Sequence, residues 1–334
     1  MFRLLRKWLP HFGRQEPPRP LNLALQGGGA LGAFTWGVLD RLLEEDHISF
    51  DTVSGVSAGA MNAAVMASGF AANGRRGGRD ALRTFWERIA RTARLSAPGA
   101  ASGQFMAQMG LFLSPYQTNP LNLDPLRTIL IDTVDFERLR AESPVRLIVA
   151  ATNLRTEEAR LFTNREITAD VLLASACLPM MHHAVRLEGD AYWDGGFTAN
   201  PPILPIVERA RAHETLLVRL MEVGSAAPPS SAPEITAHMH RLAFNRPLAD
   251  ELAQLKLLHR LAAELSTTPH RLLRNAGRHR LHEIDGPQWL DARLRAQWAS
   301  PGPGVIEAMH GHGRRAADHW LRRKTEPEPQ TSPQ

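Results

Sequence analysis

Ser57 stands in the middle of Gly55-Val56-Ser57-Ala58-Gly59, where a short apolar run meets a stretch of small residues. Gly55 and Gly59 permit a sharp, strained turn that pushes the serine out at the start of a helix. A serine hydroxyl is a poor nucleophile at neutral pH. It requires an adjacent base, and donors for the negative charge that builds on an attacked carbonyl oxygen. Alone, the pentapeptide describes equally well a helix N-cap serine among small packing residues.

Suitable donors lie upstream. The run Gly27-Gly28-Gly29-Ala30-Leu31-Gly32 follows the apolar segment 21–26 and opens a helical pattern. Backbone N–H groups of Gly28, Gly29 and Ala30 at a helix N-terminus make an anion site that a substrate can approach closely. Each donor aimed at a developing oxyanion is worth about 2.7–4 kcal/mol of barrier. The same glycines also satisfy the G-x-G-x-x-G dinucleotide fingerprint at Gly27, Gly29 and Gly32. Asp51, nineteen residues beyond Gly32, sits near where a ribose-binding acid belongs. Against that reading, the strand carrying Asp51 runs straight into the serine elbow, for which a dinucleotide fold has no use.

A base is sought next. His182 and His183 flank an apolar turn and read as packing or surface residues. Asp194 lies on Trp193-Asp194-Gly195-Gly196, a tight turn after a strand-like Ala-Tyr-Trp. Turn aspartates usually cap their own loop. Beside the other two motifs, Asp194 becomes the leading candidate for the base.

The three motifs in this order resemble the patatin-like phospholipase family, which includes cytosolic phospholipase A2-type lipid acyl hydrolases. Its signature is a G-G-G-x-x-G loop, a G-x-S-x-G elbow and a D-G-[GA] turn; the sequence supplies GGGALG, GVSAG and DGG. The stretch ASACLPMMHHAVRLEGDAYWDGGFTANPP also resembles the family's approach to its aspartate, and the likeness covers residues 21–221. It implies Ser57 as nucleophile and Asp194 as base of a dyad, with amides around Gly28, Gly29 and Ala30 as the oxyanion hole. It further implies a three-layer α/β/α sandwich with a mostly parallel sheet, and hydrolysis of fatty-acyl esters of phospholipids or neutral lipids without a cofactor. The family often carries a basic residue where this chain has Leu31, so the departure touches a headgroup contact from this loop and not the backbone donors.

The elements that must carry these residues follow from pattern. Residues 21–26 read as a buried strand, 32–46 as an amphipathic helix, 52–54 as a second strand and 57–69 as a helix closing on Gly69. Alternation of strand, glycine loop, helix, strand and helix is the grammar of a parallel α/β sheet. Residues 71–80 read as a turn-rich link before a helix over 81–95, and 105–116 as either an apolar flap or a core insertion. A strand over 145–154, a hairpin, a helix over 168–178, a helix over 203–212 and a strand over 215–221 complete the expected catalytic domain, 21–223. The expected remainder is a lead-in at 1–20, a helical extension at 224–323 and a disordered tail at 324–334.

Composition sets the outer limits. The chain has 334 residues, 43% hydrophobic and 22% charged, and a formal net charge of +5. Its isoelectric point near 10.1 favours anionic surfaces. No basic run interleaved with aromatics supports a nucleic-acid partner. The one cysteine, Cys177, excludes an internal disulfide and reads as a buried hydrophobe. His238/His240 and His310/His312 lack a third ligand at metal-site spacing, so no metal is expected. Residues 1–20 carry early charges and no long apolar run, which predicts a cytoplasmic protein without a cleavable leader. Phe2, Leu5, Trp8, Leu9 and Phe12 at helical spacing offer a peripheral membrane contact as an alternative to local packing. A lipid or fatty-acyl ester is the expected substrate, and a silent scaffold of the same fold the remaining alternative.

Overall fold

The computed structural model describes residues 17–95, 114–224, 227–265, 270–295, 301 and 304–325. The expected amphipathic segment at 2–12 and nearly all of the apolar piece at 105–116 lie outside these residues. In chain order the elements are β1 (Arg19–Leu25), α1 (Gly32–Leu42), β2 (Ile48–Gly55), α2 (Ala58–Leu95), α3 (Pro115–Thr118), α4 (Pro125–Thr133) and α5 (Phe136–Glu142). There follow β3 (Arg146–Asn153), β4 (Ala159–Thr163), α6 (Ala169–Ser175), β5 (Val185–Leu187), β6 (Asp190–Asp194), α7 (Leu204–Arg209) and β7 (Glu214–Arg219). The chain closes with α8 (Ala232–Glu264), α9 (Arg271–Arg278), β8 (Arg280–Asp285), α10 (Ala292–Arg295) and α11 (Val305–Thr325).

The strands form one sheet in the order β5-β6-β3-β2-β1-β7-β8, with β4 also paired to β3. The run β3-β2-β1-β7-β8 is parallel, while β4, β5 and β6 pair antiparallel. Both faces are covered, and strand residues alternate between them as the two-residue period requires. Leu23, Leu25, Val53, Leu147, Val149, Leu216 and Val218 pack with α1, α2 and α11 residues such as Phe34, Met66 and Met309. Ala24, Ile148 and Leu217 face the other way, onto Ile203 just before α7 and onto Ile206, Leu248, Leu255 and Ala276 of α7, α8 and α9. The result is the expected three-layer α/β/α sandwich. Among the described residues no helix is long and apolar enough to cross a membrane.

Two segments depart from expectation. Residues 71–80 are not a surface link: α2 continues past Gly69, and only Asn73 and Gly74 leave helical geometry. The reason is packing across the kink. A Cβ on Gly69 would lie 2.3 Å from the Gly77 carbonyl oxygen, so the glycines that read as turn residues let two helical halves cross closely. The C-terminal part is mostly helical, as expected, yet it also contributes β8 to the sheet beside β7. Periodicity missed this strand because Arg280–Asp285 is polar, lying at the sheet's edge. Helix α11 then packs across α1, where Asp40 receives Arg79, Arg314 and the His310 ring.

Candidate active site

The elbow is built where β2 stops. Ser57 holds a left-handed backbone, φ 53°, between Gly55 at the strand end and Ala58 at the start of α2. Such a conformation costs a non-glycine residue energy and persists only where its surroundings enforce it. Here the Ser57 N–H donates to Ser175 Oγ at 2.9 Å and its carbonyl accepts from Met61 N–H at 3.0 Å. A Cβ on Gly59 would come within 2.2 Å of the Leu25 carbonyl oxygen, so the elbow can seat on the end of β1 only with glycine there.

The pairing of β3 explains what faces the elbow. Residues Ile148–Thr152 of β3 pair with β4 along one edge. The opposite edge is shared: β2 pairs over Arg146–Val149 and β6 over Ala151–Asn153. Gly55 lies opposite Val149 and Asp194 opposite Ala151, so β2 and β6 end against each other. Asp194 is held there at every backbone group. Its N–H donates to the Cys177 carbonyl at 2.8 Å, and its carbonyl accepts from Thr152 Oγ1 at 2.8 Å.

The Asp194 carboxyl is 1% exposed. Burial pushes its pKa from the ordinary 3.8 up to about 7, against the Gly196 N–H and the Ser57 hydroxyl, which both favour the charged form. Gly196 donates to Oδ1 at 2.8 Å. The other oxygen, Oδ2, is buried and closes no full hydrogen bond among the described residues, although the Ser57 hydroxyl is near enough to stabilise the charged carboxylate. A carboxyl that exchanges its proton near pH 7 beside the elbow serine can act as acid or base there.

The glycine loop completes this end of the site. Leu31 N–H closes on the Gly28 carbonyl, while the N–H groups of Gly28, Gly29 and Ala30 donate to no acceptor among the described residues. The loop is pinned behind them. Asn200 Oδ1 accepts from Gly27 N–H at 2.8 Å, and Gln26 Oε1 accepts from Leu220 and Met221 N–H at 2.7 and 3.0 Å. Asn62 donates to the Gly32 and Ala58 carbonyls and accepts from Trp86 Nε1, tying the loop's helix to the elbow's helix.

Ser57, Asp194, Gly28, Gly29 and Ala30 line one end of a cavity of about 400 Å³. Its walls are largely apolar, with Met61, Trp86, Ile89, Leu126, Ile129, Leu178 and Phe244. Five of the residues singled out from sequence are thus brought together. Gly27, Gly32, Gly55, Gly59, Gly195 and Gly196 lie in the backbone that supports them. Asp51 is elsewhere: its carboxylate takes Arg146 at 2.6 Å and the N–H groups of Arg211 and Ala212, so it is engaged away from the cavity that the glycine loop lines.

Sequence reasoning passed over several residues of the site. His182 lines the cavity, with Nδ1 buried and without a hydrogen-bond partner among the described residues, and burial lowers its pKa. His240 also lines it and stacks on Phe244 at 4.3 Å, a pair spaced i,i+4 on α8. That spacing is a legible signal. Ser175 and Asn200 carried none, since their role is to accept backbone N–H groups distant in sequence. His183 stacks on Tyr116, His238 meets Arg241 and His310 meets Asp40. Cys177 is buried, and burial raises its thiol pKa to about 12, as befits a packed residue.

Comparison with known proteins identifies the family through one family model. The model of a family described as patatin-like phospholipase matches residues 23–207. The uncharacterized protein R571 of Acanthamoeba polyphaga mimivirus is 27% identical over 188 residues, covering 54% of this chain and 60% of that protein. The uncharacterized protein YjjU of Escherichia coli strain K12 is 27% identical over 232 residues, covering 64% and 54%. The chain therefore spans less than two thirds of these relatives' length. Among solved structures, VipD from Legionella pneumophila aligns with 90% of this chain and 67% of its own, at a TM-score of 0.41 and 15% identity.

Proposed function

Because the chain belongs to the patatin-like phospholipase family, we propose that it is a serine acyl hydrolase of lipid esters, with Ser57 as nucleophile and Asp194 as its base. The observation that carries this reading is the meeting of a strained elbow serine with a buried carboxyl at the end of an apolar cavity. An acyl chain suits those walls, since burial of each methylene gains about 0.8 kcal/mol.

In this mechanism Ser57 Oγ attacks the ester carbonyl carbon as its proton passes to Asp194. The carbonyl π electrons move onto oxygen, which faces the N–H groups of Gly28, Gly29 and Ala30. Collapse expels the alcohol, which takes the proton back from Asp194 and leaves an acyl-Ser57. Water then gives a proton to Asp194 and attacks the acyl carbon; the acid departs and Ser57 recovers its proton. The raised pKa of Asp194 narrows the gap to the serine hydroxyl and makes the first transfer easier. No cofactor enters these steps.

Residues 21–223 carry the chemistry in this reading, while 224–323 supplies the His240–Phe244 wall and strand β8. The substrate is a lipid or other fatty-acyl ester, met at a membrane surface by a protein of net positive charge. The test is hydrolysis of dihexanoylglycerol by the purified protein and by Ser57→Ala and Asp194→Asn variants. Activity lost in both folded variants is the expected result. Retention of full activity by Ser57→Ala overturns the assignment.

A further inference from the structure

A second cavity, of about 440 Å³, adjoins the first and reaches the back of the dyad. Its outer rim carries exposed residues, Tyr116, Asn122, Arg127 and Arg186, while its inner end is walled by Ala176, buried Cys177 and His182. Hydrogen bonds fix how near that inner end comes to the chemistry. The Ser57 N–H donates to Ser175 Oγ at 2.9 Å, and the next residue, Ala176, lines both cavities. The Asp194 N–H donates to the Cys177 carbonyl at 2.8 Å, and Cys177, of the two cavities, lines the second. One thickness of chain, residues 175–177, therefore parts the cavities beside Ser57 and Asp194. Asp124, Leu126 and His182 line both and complete the seam.

The two spaces differ in what they can carry. An acyl chain seated in the first fills an apolar space, and an apolar space holds water poorly. Acyl-Ser57 nevertheless needs one water molecule at its carbonyl carbon. The second cavity suits water, since Asp124, Arg127, Asp170 and Arg186 offer it donors and acceptors. Its wall is fixed: the Tyr116 ring stacks on His183 with centroids 4.1 Å apart, and Tyr116 Oη accepts from Ala184 N–H at 3.1 Å. At the seam, His182 keeps Nδ1 buried and without a hydrogen-bond partner among the described residues. Burial lowers its pKa against the pull of Asp124, so the ring is neutral at pH 7 and has one nitrogen free to accept.

We propose that the second cavity is the path by which water reaches the acyl-enzyme, with His182 as the positioning residue that receives it at the seam. This rests on the ester-hydrolase reading above. The water hydrogen-bonds the His182 ring, gives one proton to Asp194 and attacks the acyl carbon through its oxygen. The carbonyl π electrons pass to the oxygen facing the glycine-loop amides. They then return, the bond from the acyl carbon to Ser57 Oγ breaks, and Oγ takes the proton from Asp194 as the acid departs. His182 neither gains nor loses a proton. Acylation consumes no water and so does not depend on this path.

The ester p-nitrophenyl hexanoate separates the two steps, because p-nitrophenolate leaves on acylation and hexanoate only on deacylation. Stopped-flow absorbance gives the acylation rate and kcat, and mass spectrometry of the quenched protein gives the fraction held as hexanoyl-Ser57. His182→Phe places an apolar ring at the seam. It is expected to lower kcat by about tenfold, as loss of a hydrogen bond to the water requires, with acylation changed by less than about twofold and hexanoyl-Ser57 accumulating. His182→Gln keeps a polar reach and is expected to recover most of the lost rate. Ala191 lines the second cavity and not the first, so Ala191→Trp should slow deacylation alone in the same way. The accumulated acyl-enzyme counts folded protein, which keeps misfolding apart from slow deacylation. Equal losses in both steps, a His182→Gln variant as slow as His182→Phe, or unchanged deacylation in Ala191→Trp would each overturn the proposal. Abolition of wild-type turnover by Ser57→Ala reports separately on the ester-hydrolase reading.

Discussion

Ser57 and Asp194 are neighbours because the strands that carry them toward the site, β2 and β6, end on the same edge of β3. Gly55 lies opposite Val149 and Asp194 opposite Ala151, so a single residue of β3, Ala150, separates the end of one strand from the end of the other. No loop has to fold over to bring the hydroxyl and the carboxyl together. The relation is fixed by sheet register, and each side is reinforced from behind by Ser175 and Thr152. A site built in this way gives definite expectations.

Asp194 should set the pH dependence. Its pKa of about 7 means that the basic form dominates only above neutrality, so kcat/KM is expected to rise through about pH 7 and level off beyond it. Asp194→Asn should lower kcat/KM by about 10²–10⁴ with the profile flattened. A wild-type profile already flat from pH 5 to 9 would argue against Asp194 as base.

Stability should move in the opposite sense. A carboxyl whose folded pKa is raised stabilises the fold below its unfolded pKa, and that contribution is lost as pH climbs through the folded value. Between about pH 4 and 7 the wild type should therefore lose stability relative to Asp194→Asn, by on the order of 4 kcal/mol once ionisation is complete. Urea unfolding at pH 4.5 and at pH 8, roughly either end of that window, measures it. The same stability difference between the two proteins at pH 4.5 and at pH 8 would contradict the buried, ionised carboxylate.

Ser175→Ala removes the acceptor for the Ser57 N–H, which is buried. An orphaned buried donor costs about 1–3 kcal/mol. Chemical denaturation should show a loss of that size, together with a fall in kcat that exceeds any change in KM, because the elbow and not the substrate pocket is loosened. Wild-type stability in this variant would mean that the elbow holds its shape without the contact.

Asn200→Ala should act on the glycine loop. It strands both the Gly27 N–H and the Phe244 carbonyl, to which Asn200 Nδ2 donates at 3.1 Å. The loop's free amides would lose their fixed direction, and kcat should drop by about tenfold or more with the acyl cavity still intact. Steady-state kinetics on a soluble ester separates the two effects. A change confined to KM would point to the cavity wall instead.

Arg314→Met tests the attachment of α11. Asp40 lies buried on α1, and its partners His310, Arg79 and Arg314 hold its carboxyl well below the ordinary range despite the burial that opposes them. Removing Arg314 leaves a buried charge short of a partner, for which about 2–4 kcal/mol is expected. Because the pKa is depressed, the stabilisation is present above the unfolded value and lost as pH falls toward the folded one. The variant's deficit should therefore shrink in acid. A deficit independent of pH would indicate lost packing alone.

Much of this site could be read from the sequence, and the reason is local. Gly55 to Gly59 and Gly27 to Gly32 mark backbone that no other residue could follow closely, so their chemistry is written in consecutive letters. Asp194 was legible only through its company, since its raised pKa comes from burial and its place from the β3 register. His182 was read only as a packing or surface residue, since nothing in its neighbours' identities tells that it lines the cavity. Ser175 and Asn200 act on backbone groups 118 and 173 residues away in the chain, a separation at which no spacing rule operates. The strand β8 was missed because an edge strand at the polar rim lacks the apolar run that betrays β1 or β3. Residues 71–80 read as a turn-rich link because of their glycines, but α2 only kinks there, and Gly69 and Gly77 serve helix crossing and not a turn.

The most direct test of the central claim is reaction of the folded protein with a fluorophosphonate, followed by peptide mass spectrometry. An adduct on Ser57, formed at least about a hundredfold more slowly in Asp194→Asn, is the result expected of an elbow serine activated by that carboxyl. A protein that folds, binds ester substrate and yet carries the adduct elsewhere, or takes none, would contradict it.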